Sequence, residues 1–359
     1  MRKHYIDNLR WSIILLLIPF HAAQAFKTWT EPNYIEFGPN KMISSIIVFF
    51  GPFVMQLLFL FAGMSMRYAL KKRSYAAFVV ERIKRLLVPL VFGVLVLVPP
   101  MTYMADRFHN GYDGSLIEHY GKFFTVFTDL SGADGGFSFG QFWFLLYLFI
   151  LSFALLGVIV LLKKKRSTIS TNREIPFWVV IILGLPLPIF SELLSVGGKS
   201  FVEFFYFLLI GYYVFTKKSV LEKVKKYGFI FLVIGIVACG AKVYLFVFAD
   251  MNIPVIYSVI TNIGKWFMIL GLIGIGGTSF NQNNKVTQYL THISYPFFSF
   301  HFLFVVLFQS VFANVFQGNT VLLYAVPVVL SYAATIICSQ IALAVPALGF
   351  FLGCTKKNK

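Results

Sequence analysis

The sequence predicts an all-α polytopic membrane protein, with about ten transmembrane helices around a central polar cavity in a single domain spanning 1–359. Three observations carry this reading. Hydrophobic residues make up 58% of the chain and charged residues only 13%, where a soluble domain carries about 25% charged residues. Mean hydropathy is +0.79. Apolar runs of roughly 20 residues recur from end to end, each long enough to cross a ~30 Å hydrocarbon core. The third observation is where the cations fall, and it comes from the spans themselves.

The runs place ten spans at 11–26, 43–66, 86–104, 142–162, 175–191, 200–216, 228–249, 255–278, 291–313 and 321–353. The first is not expected to be a cleaved leader, because no small-residue cleavage site follows it and Asp7 precedes it. Net charge is +17. In a membrane chain this speaks to orientation rather than to nucleic acid, which is not an expected partner. With the N-terminus inside, 24 of the 31 lysines and arginines lie in inner connections. These are Arg2, Lys3 and Arg10, the stretch 67–85, the KKKR at 163–166 with Arg173, the 217–226 segment, Lys285 and the terminal KKNK. Outer connections hold Lys27, Lys41, Arg107, Lys122 and Lys199, while Lys242 and Lys265 fall within spans. Both termini are therefore expected to face the cytoplasm, in a plasma-membrane protein. Trp29, Trp143 and Trp178 sit near span ends, where amphipathic rings prefer the interface. The connection 105–141, rich in Gly, Asp and Glu, reads as a solvated outer loop, long for a segment without a role. Cys239, Cys338 and Cys354 form no CxxC pair and read as small buried hydrophobes.

Within this frame a few polar residues stand out. In RWSIILLLIPFH, eleven helical steps bring His21 back to within about 20° of Arg10, about 16 Å further along the axis. Arg10 then sits at the cytoplasmic interface and His21 near mid-membrane. Asp7 shares that face and can pair with Arg10. Pro19 removes a backbone donor just before His21. An ionisable group at that depth is costly against lipid, so it should face a polar cavity. A histidine merely hydrogen-bonded between helices fits the spacing equally well. In ERIKRLLVPL, Arg82 and Arg85 stand three apart at the cytoplasmic mouth of the third span. Two guanidiniums there suit phosphate or pyrophosphate, and ordinary positive-inside charge with snorkelling side chains accounts for them too. In THISYPFFSFH, His301 lies about 13 Å into the ninth span, comparable to His21, with Ser294 on the same face. His292 is close to the interface and points elsewhere. Gln56 and Ser65 are deep in the second span, whose FAGMS packs small residues for close helix contact. Lys265 lies near the middle of the eighth span with Asn262 and Trp266 on its face, lining the cavity or snorkelling between helices.

Four of these stretches together resemble the integral-membrane acyltransferase family 3. YIDNLRWSIILLLIPFH is similar to the family's opening, an Arg or Lys in the first span followed by a His. ERIKRLLVP is similar to its RxxR entry to the third span, GQFWFLLYLF to its fourth-span WF motif, and SYPFFSFH to its late tyrosine–histidine motif. FLFAGMSMRYALKKR and VFGVLVLVPPMTY resemble a glucan-biosynthesis branch of the same family. The resemblance covers nearly the whole chain. It departs at Gln141, where branch members commonly show His, and at Phe298, where Tyr is common.

What the resemblance implies is transfer of an acyl group, of acetyl or succinyl class, from cytoplasmic acyl-CoA to a hydroxyl of a carbohydrate or glycan acceptor. Arg82 and Arg85 would hold the CoA phosphates. His21 would be the catalytic base or transient acyl carrier, supported by Arg10 and Asp7, with His301, Ser294, Gln56 and Lys265 as further cavity residues. No metal is expected. The competing expectation is a transporter or flippase for a polar or anionic substrate, which would also bury His, Lys and Gln around a cavity. The paired broken helices and related halves common in transporters are not evident in the sequence. An inert scaffold would leave the Arg10–His21 spacing unexplained.

Overall fold

The computed structural model describes residues 3–165, 175–251 and 253–354. Arg2, Arg166, Arg173 and the terminal Lys356, Lys357 and Lys359 lie outside the described residues, as do the side chains of Lys163, Lys164 and Lys165. In chain order the helices are α1 (His4–Ala23), α2 (Lys41–Phe50), α3 (Val54–Leu70), α4 (Tyr75–Asn110, with two π-helical turns at Ile83–Leu87 and Gly93–Leu97) and α5 (Leu116–Thr125). They continue with α6 (Trp143–Lys165), α7 (Phe177–Ile182), α8 (Leu187–Phe190), α9 (Phe201–Tyr213) and α10 (Lys218–Lys226). The last are α11 (Gly228–Val243), α12 (Pro254–Ser279), α13 (Lys285–Phe312), α14 (Thr320–Ala344) and α15 (Pro346–Phe351). A two-residue antiparallel pair, β1 (Ser195–Val196) with β2 (Lys199–Ser200), is the only sheet among the described residues.

The protein is thus an all-α polytopic membrane protein. Eight helical stretches among the described residues are long and apolar enough to cross a membrane, or nine if the bent pair α9–α10 counts as one. The ten spans expected from hydropathy differ at the fifth and sixth. The fifth, 175–191, is broken into α7 and α8 because Pro186 and Pro188 cannot continue the backbone ladder. Its break also needs Gly184, where a Cβ would stand 2.6 Å from the Trp266 ring. The sixth is α9, only 13 residues, and the chain then turns by 106° into the basic α10. The tenth, expected to run from 321 to 353, stops at Ala344, where Val345 is extended before Pro346.

Contacts divide the chain into two compact units: residues 1–9, 48–82 and 147–283, and residues 10–47, 83–146 and 284–359. The first unit is held by glycines that let backbones touch. Gly63 and Gly211 join α3 to α9, each with a would-be Cβ about 2 Å from a carbonyl oxygen of the other helix (2.1 Å to Leu208 and 2.2 Å to Leu60). The FAGMS glycine therefore sits in a helix contact. Helices α11 and α12 form an antiparallel hairpin through Gly228 against Gly274, Gly235 against Met268, and Gly271 against Leu232. The loop after α12 is tied back to α1, with the Asn8 amide donating to the carbonyls of Phe280 (2.8 Å) and Gln282 (2.9 Å).

The second unit packs α1, the C-terminal half of α4, α13 and α14 around Ile18, Ala22, Met101, Phe297 and Val305. Its connection 105–141 is solvated along much of its length, with Asp113, Glu118 and Asp129 exposed, but it also carries a helix and a buried carboxylate. Helix α5 starts with a capping box between Ser115 and Glu118. Asp106, only 1% exposed, accepts from Lys122 Nζ (2.7 Å) and Asn110 (2.7 Å), and stands 3.5 Å from the His119 ring. Gly135, at φ +83, passes where a Cβ would be 2.6 Å from that carboxylate. Because the partners of Asp106 are non-local, composition alone did not set it apart from the exposed acids of this stretch. Burial pulls the His119 pKa below the ordinary value of 6.5; Asp106 opposes the shift and Lys122 adds to it. The neutral ring is thus the form this packing favours, so its contribution is present above the ordinary pKa and lost as pH falls through the lowered one.

Candidate functional site

The two deep histidines read from the sequence come together in the second unit. The ring centroids of His21 on α1 and His301 on α13 are 5.3 Å apart. His21 stacks on Phe302 at 4.1 Å, and Phe302 in turn meets Tyr34 edge-on at 5.2 Å. His301 is fully buried, and its Nδ1 lies 2.7 Å from the Phe298 carbonyl. A carbonyl can only accept, so the neutral ring carries its proton on Nδ1 and leaves the Nε2 lone pair free. That Nε2 is buried and meets no protein hydrogen-bond partner among the described residues. A fixed tautomer with an unengaged lone pair is the arrangement a proton acceptor needs.

Local chemistry explains how α1 presents His21. Pro19 has no N–H, so the Leu15 carbonyl four residues back loses its helical donor. The Tyr332 hydroxyl of α14 donates to that carbonyl at 2.7 Å. At the helix end, Tyr324 donates to the Pro19 carbonyl (3.2 Å) and Gln309 to the Ala22 carbonyl (2.9 Å). Three side chains from α13 and α14 thus satisfy the backbone on either side of His21. Gln141, where branch members commonly carry His, is 3% exposed and donates from Nε2 to the Ser299 carbonyl at 2.8 Å. It positions α13 two residues before His301. Phe298 packs 5.8 Å from His301 and 5.9 Å from Phe144 of the WF motif. Tyr34 donates to Ser138 at 3.0 Å, tying the 27–40 segment to the one before α6.

Other sequence-predicted residues fall elsewhere. Ser294 shares α13 with His301, but its hydroxyl donates to its own helix at Thr291 (2.9 Å). His292 is exposed. Asp7 and Arg10 are both partly buried on α1, at the cytoplasmic end in the expected topology. Arg82 covers the Phe78 ring at 4.6 Å and closes the first unit, whereas Arg85 is exposed and belongs to the second. The helix changes from α to π between them, so they are not one α-helical turn apart. Pro89 leaves the Arg85 carbonyl without its helical donor, and the hydroxyl of Tyr295 donates to it. The tyrosine of SYPFFSFH therefore has a backbone role.

Gln56 and Lys265 belong to the first unit, in a different cluster from the histidines. Lys265, 3% exposed, does not snorkel: it pairs with Glu203, 4% exposed, and donates to Asn262 Oδ1 at 3.0 Å. Gln56 Nε2 donates to the other oxygen of Glu203 at 3.2 Å. Glu203 was not among the residues singled out from the sequence. The available signal was charge balance, since a lone acid in FVEFF required a buried cation. Gln309 was missed in the same way, a single amide in an apolar run.

The profile of a family described as "Acyltransferase domain" matches residues 3–344. Curated relatives include the "Glucans biosynthesis protein C" of Salmonella schwarzengrund (strain CVM19633) and of Salmonella heidelberg (strain SL476). Each is 24% identical over 176 residues, covering 46% of this chain and 41% of the relative. The match thus spans well under half the length of those relatives. No solved structure matches the chain. With a profile match over nearly its whole length, on helices that carry the family's motifs, this chain belongs to the membrane acyltransferase family 3.

Proposed function

We propose that the protein is a plasma-membrane O-acyltransferase, both termini cytoplasmic, that moves an acetyl- or succinyl-class group from cytoplasmic acyl-CoA to a hydroxyl of a carbohydrate or glycan. The observation that carries this reading is the His21–His301 pair, its rings 5.3 Å apart, with the Nε2 lone pair of His301 unengaged by protein beside His21. In the reaction the acceptor hydroxyl gives its proton to an imidazole nitrogen as its oxygen attacks the thioester carbon. The C–S bond then breaks, and the departing thiolate takes the proton back, giving an ester and free CoA. A route through an acyl-imidazole uses the same ring as nucleophile. His21 is the proposed catalytic residue, and His301, held by the Phe298 carbonyl, is the group beside it. Arg10, with Asp7 one turn before it, is assigned to the donor path, and Arg82 and Arg85 to the CoA phosphates as separate contacts rather than one fork.

The transporter reading would draw on the buried Lys265–Glu203 pair. Gln56 and Asn262 already complete that pair as a structural cluster, so it asks for no substrate.

The test is acyl transfer by the purified full-length protein, compared with His21→Ala. Acid–base help is worth about 10²–10⁴-fold, so the rate should fall at least that far while donor binding persists. His301→Ala should also slow transfer, and Arg82→Ala should weaken acyl-CoA binding with transfer retained at saturating donor. Near wild-type transfer by folded His21→Ala would remove that residue from catalysis. Absence of transfer by every form, with substrate flux across vesicles, would favour the transporter.

A further inference from the structure

Among the described residues the first unit buries one carboxylate, Glu203, and two lysines, Lys242 and Lys265, so the charges do not balance. Glu203 and Lys265 neutralise one another. Lys242, 8% exposed on the last turn of α11, has no carboxylate within ion-pair distance among the described residues. Its ammonium sits 4.8 Å over the Tyr257 ring. A ring face offsets part of the cost of burying a cation but accepts none of its three N–H bonds in the way an oxygen does.

The surroundings of this cation are specific. Beyond Lys242 the helix loosens into a π-helical turn at Tyr244–Phe248, so the α11–α12 hairpin, tight at Gly228 and Gly235, opens at this end. The opening is a cavity of about 60 Å³ walled by Leu245, Ile253, Ile256 and Ile260, with Lys242 and Tyr257 on its side. That volume would hold about two waters, each of which needs two to four polar partners. The aliphatic wall provides none, so the cavity favours an apolar group next to an anion. Its rim faces outward: Met251, Ile253 and Ile256 are 46%, 44% and 45% exposed. At the end of two membrane helices, such a rim is met by lipid, and phospholipid is the amphiphile every bilayer supplies at high local concentration.

We propose that the cleft between α11 and α12 at its Lys242 end binds an anionic phospholipid, its phosphate on the Lys242 ammonium and the first part of a chain in the apolar cavity. Lysine acts there as a point-charge phosphate binder. The site belongs to the first unit and does not depend on the acyl-transfer reading.

The test is native mass spectrometry of the full-length protein in neutral detergent with phosphatidylglycerol or phosphatidylcholine of identical chains. Wild type should retain phosphatidylglycerol over phosphatidylcholine by about two- to fivefold, because both carry the phosphate but the choline cation of the second stands against Lys242, a loss on the scale of one solvent-exposed charge pair. Lys242→Met should lose the preference, and Lys242→Arg should keep it. Ile256→Trp retains the charge but fills the cleft, and should lower retention of both lipids; it decides the matter if Lys242→Met does not fold. Equal phosphatidylglycerol retention by wild type and Lys242→Met, or unchanged retention by Ile256→Trp, overturns the proposal. So does thermal stabilisation by inorganic phosphate alone as large as that by phosphatidylglycerol, which would mark an anion site with no lipid component.

Discussion

Lys265 keeps a charge at 3% exposure because Glu203, at 4%, stands against it. Removing one member leaves the other buried and uncompensated, a loss of about 3–5 kcal/mol, whereas replacing both by neutral groups of similar size is often close to neutral. Lys265→Met should therefore lower the melting temperature in detergent sharply, and Lys265→Met with Glu203→Gln should recover most of it. A single substitution no worse than the double would mean that the pair contributes no coupling. The same residues show what was legible in the sequence. Depth along a helix is a local property, so His21 and His301 could be matched by counting turns, and their rings do meet. Pairing across helices is non-local. Lys265 was visible as a cation in a span, but its partner 62 positions away was not, and Asp106 and Lys122 were read only as loop charges for the same reason.

Prolines inside membrane helices set a similar problem at the level of the element. Each frees a carbonyl four residues earlier, and in hydrocarbon that carbonyl must find another donor. Two such carbonyls are served by tyrosines: Leu15, freed by Pro19, accepts from Tyr332, and Arg85, freed by Pro89, accepts from Tyr295. The prolines were legible, since the ring chemistry is fixed. Which tyrosine answers each was not, and neither were the π-helical turns that move Arg85 off the face of Arg82. A double-mutant cycle isolates the device on α1. Tyr332→Phe alone should cost about 1–3 kcal/mol of unfolding free energy by leaving the Leu15 carbonyl unsatisfied. In a Pro19→Ala background the residue 19 amide supplies the missing donor, so the same Tyr332→Phe change should cost much less. Equal costs in both backgrounds would show that Tyr332 acts through packing and not through this hydrogen bond.

Across the whole molecule the question is how often the chain crosses. Hydropathy counted ten spans, and among the described residues eight helical stretches are of sufficient length, with α7, α8 and α9 too short by the same measure. Packing within the first unit bears on this. Gln56 pairs with Glu203, Phe59 stacks on Phe204 at 4.5 Å, and Gly63 meets Leu208. Residue numbers rise together along both helices, so α3 and α9 run parallel. Between them lie two full spans, 75–110 and 140–162, which return the chain to the side where α3 ends. For α9 to start on the side where α3 starts, the 177–190 segment must carry the chain back, short as it is. For the absolute direction we propose the one the cation distribution favours, with Lys71, Lys72 and Arg73, exposed after α3, on the cytoplasmic side. Residues 113 and 197 should consequently both lie outside. In a background with the three native cysteines replaced, Asp113→Cys and Gly197→Cys should each be blocked in intact cells by a thiol reagent that cannot cross the membrane. If position 113 is blocked and position 197 is reached only after permeabilisation, α7 and α8 do not carry the chain across. If neither is blocked from outside, the orientation drawn from the cations is reversed.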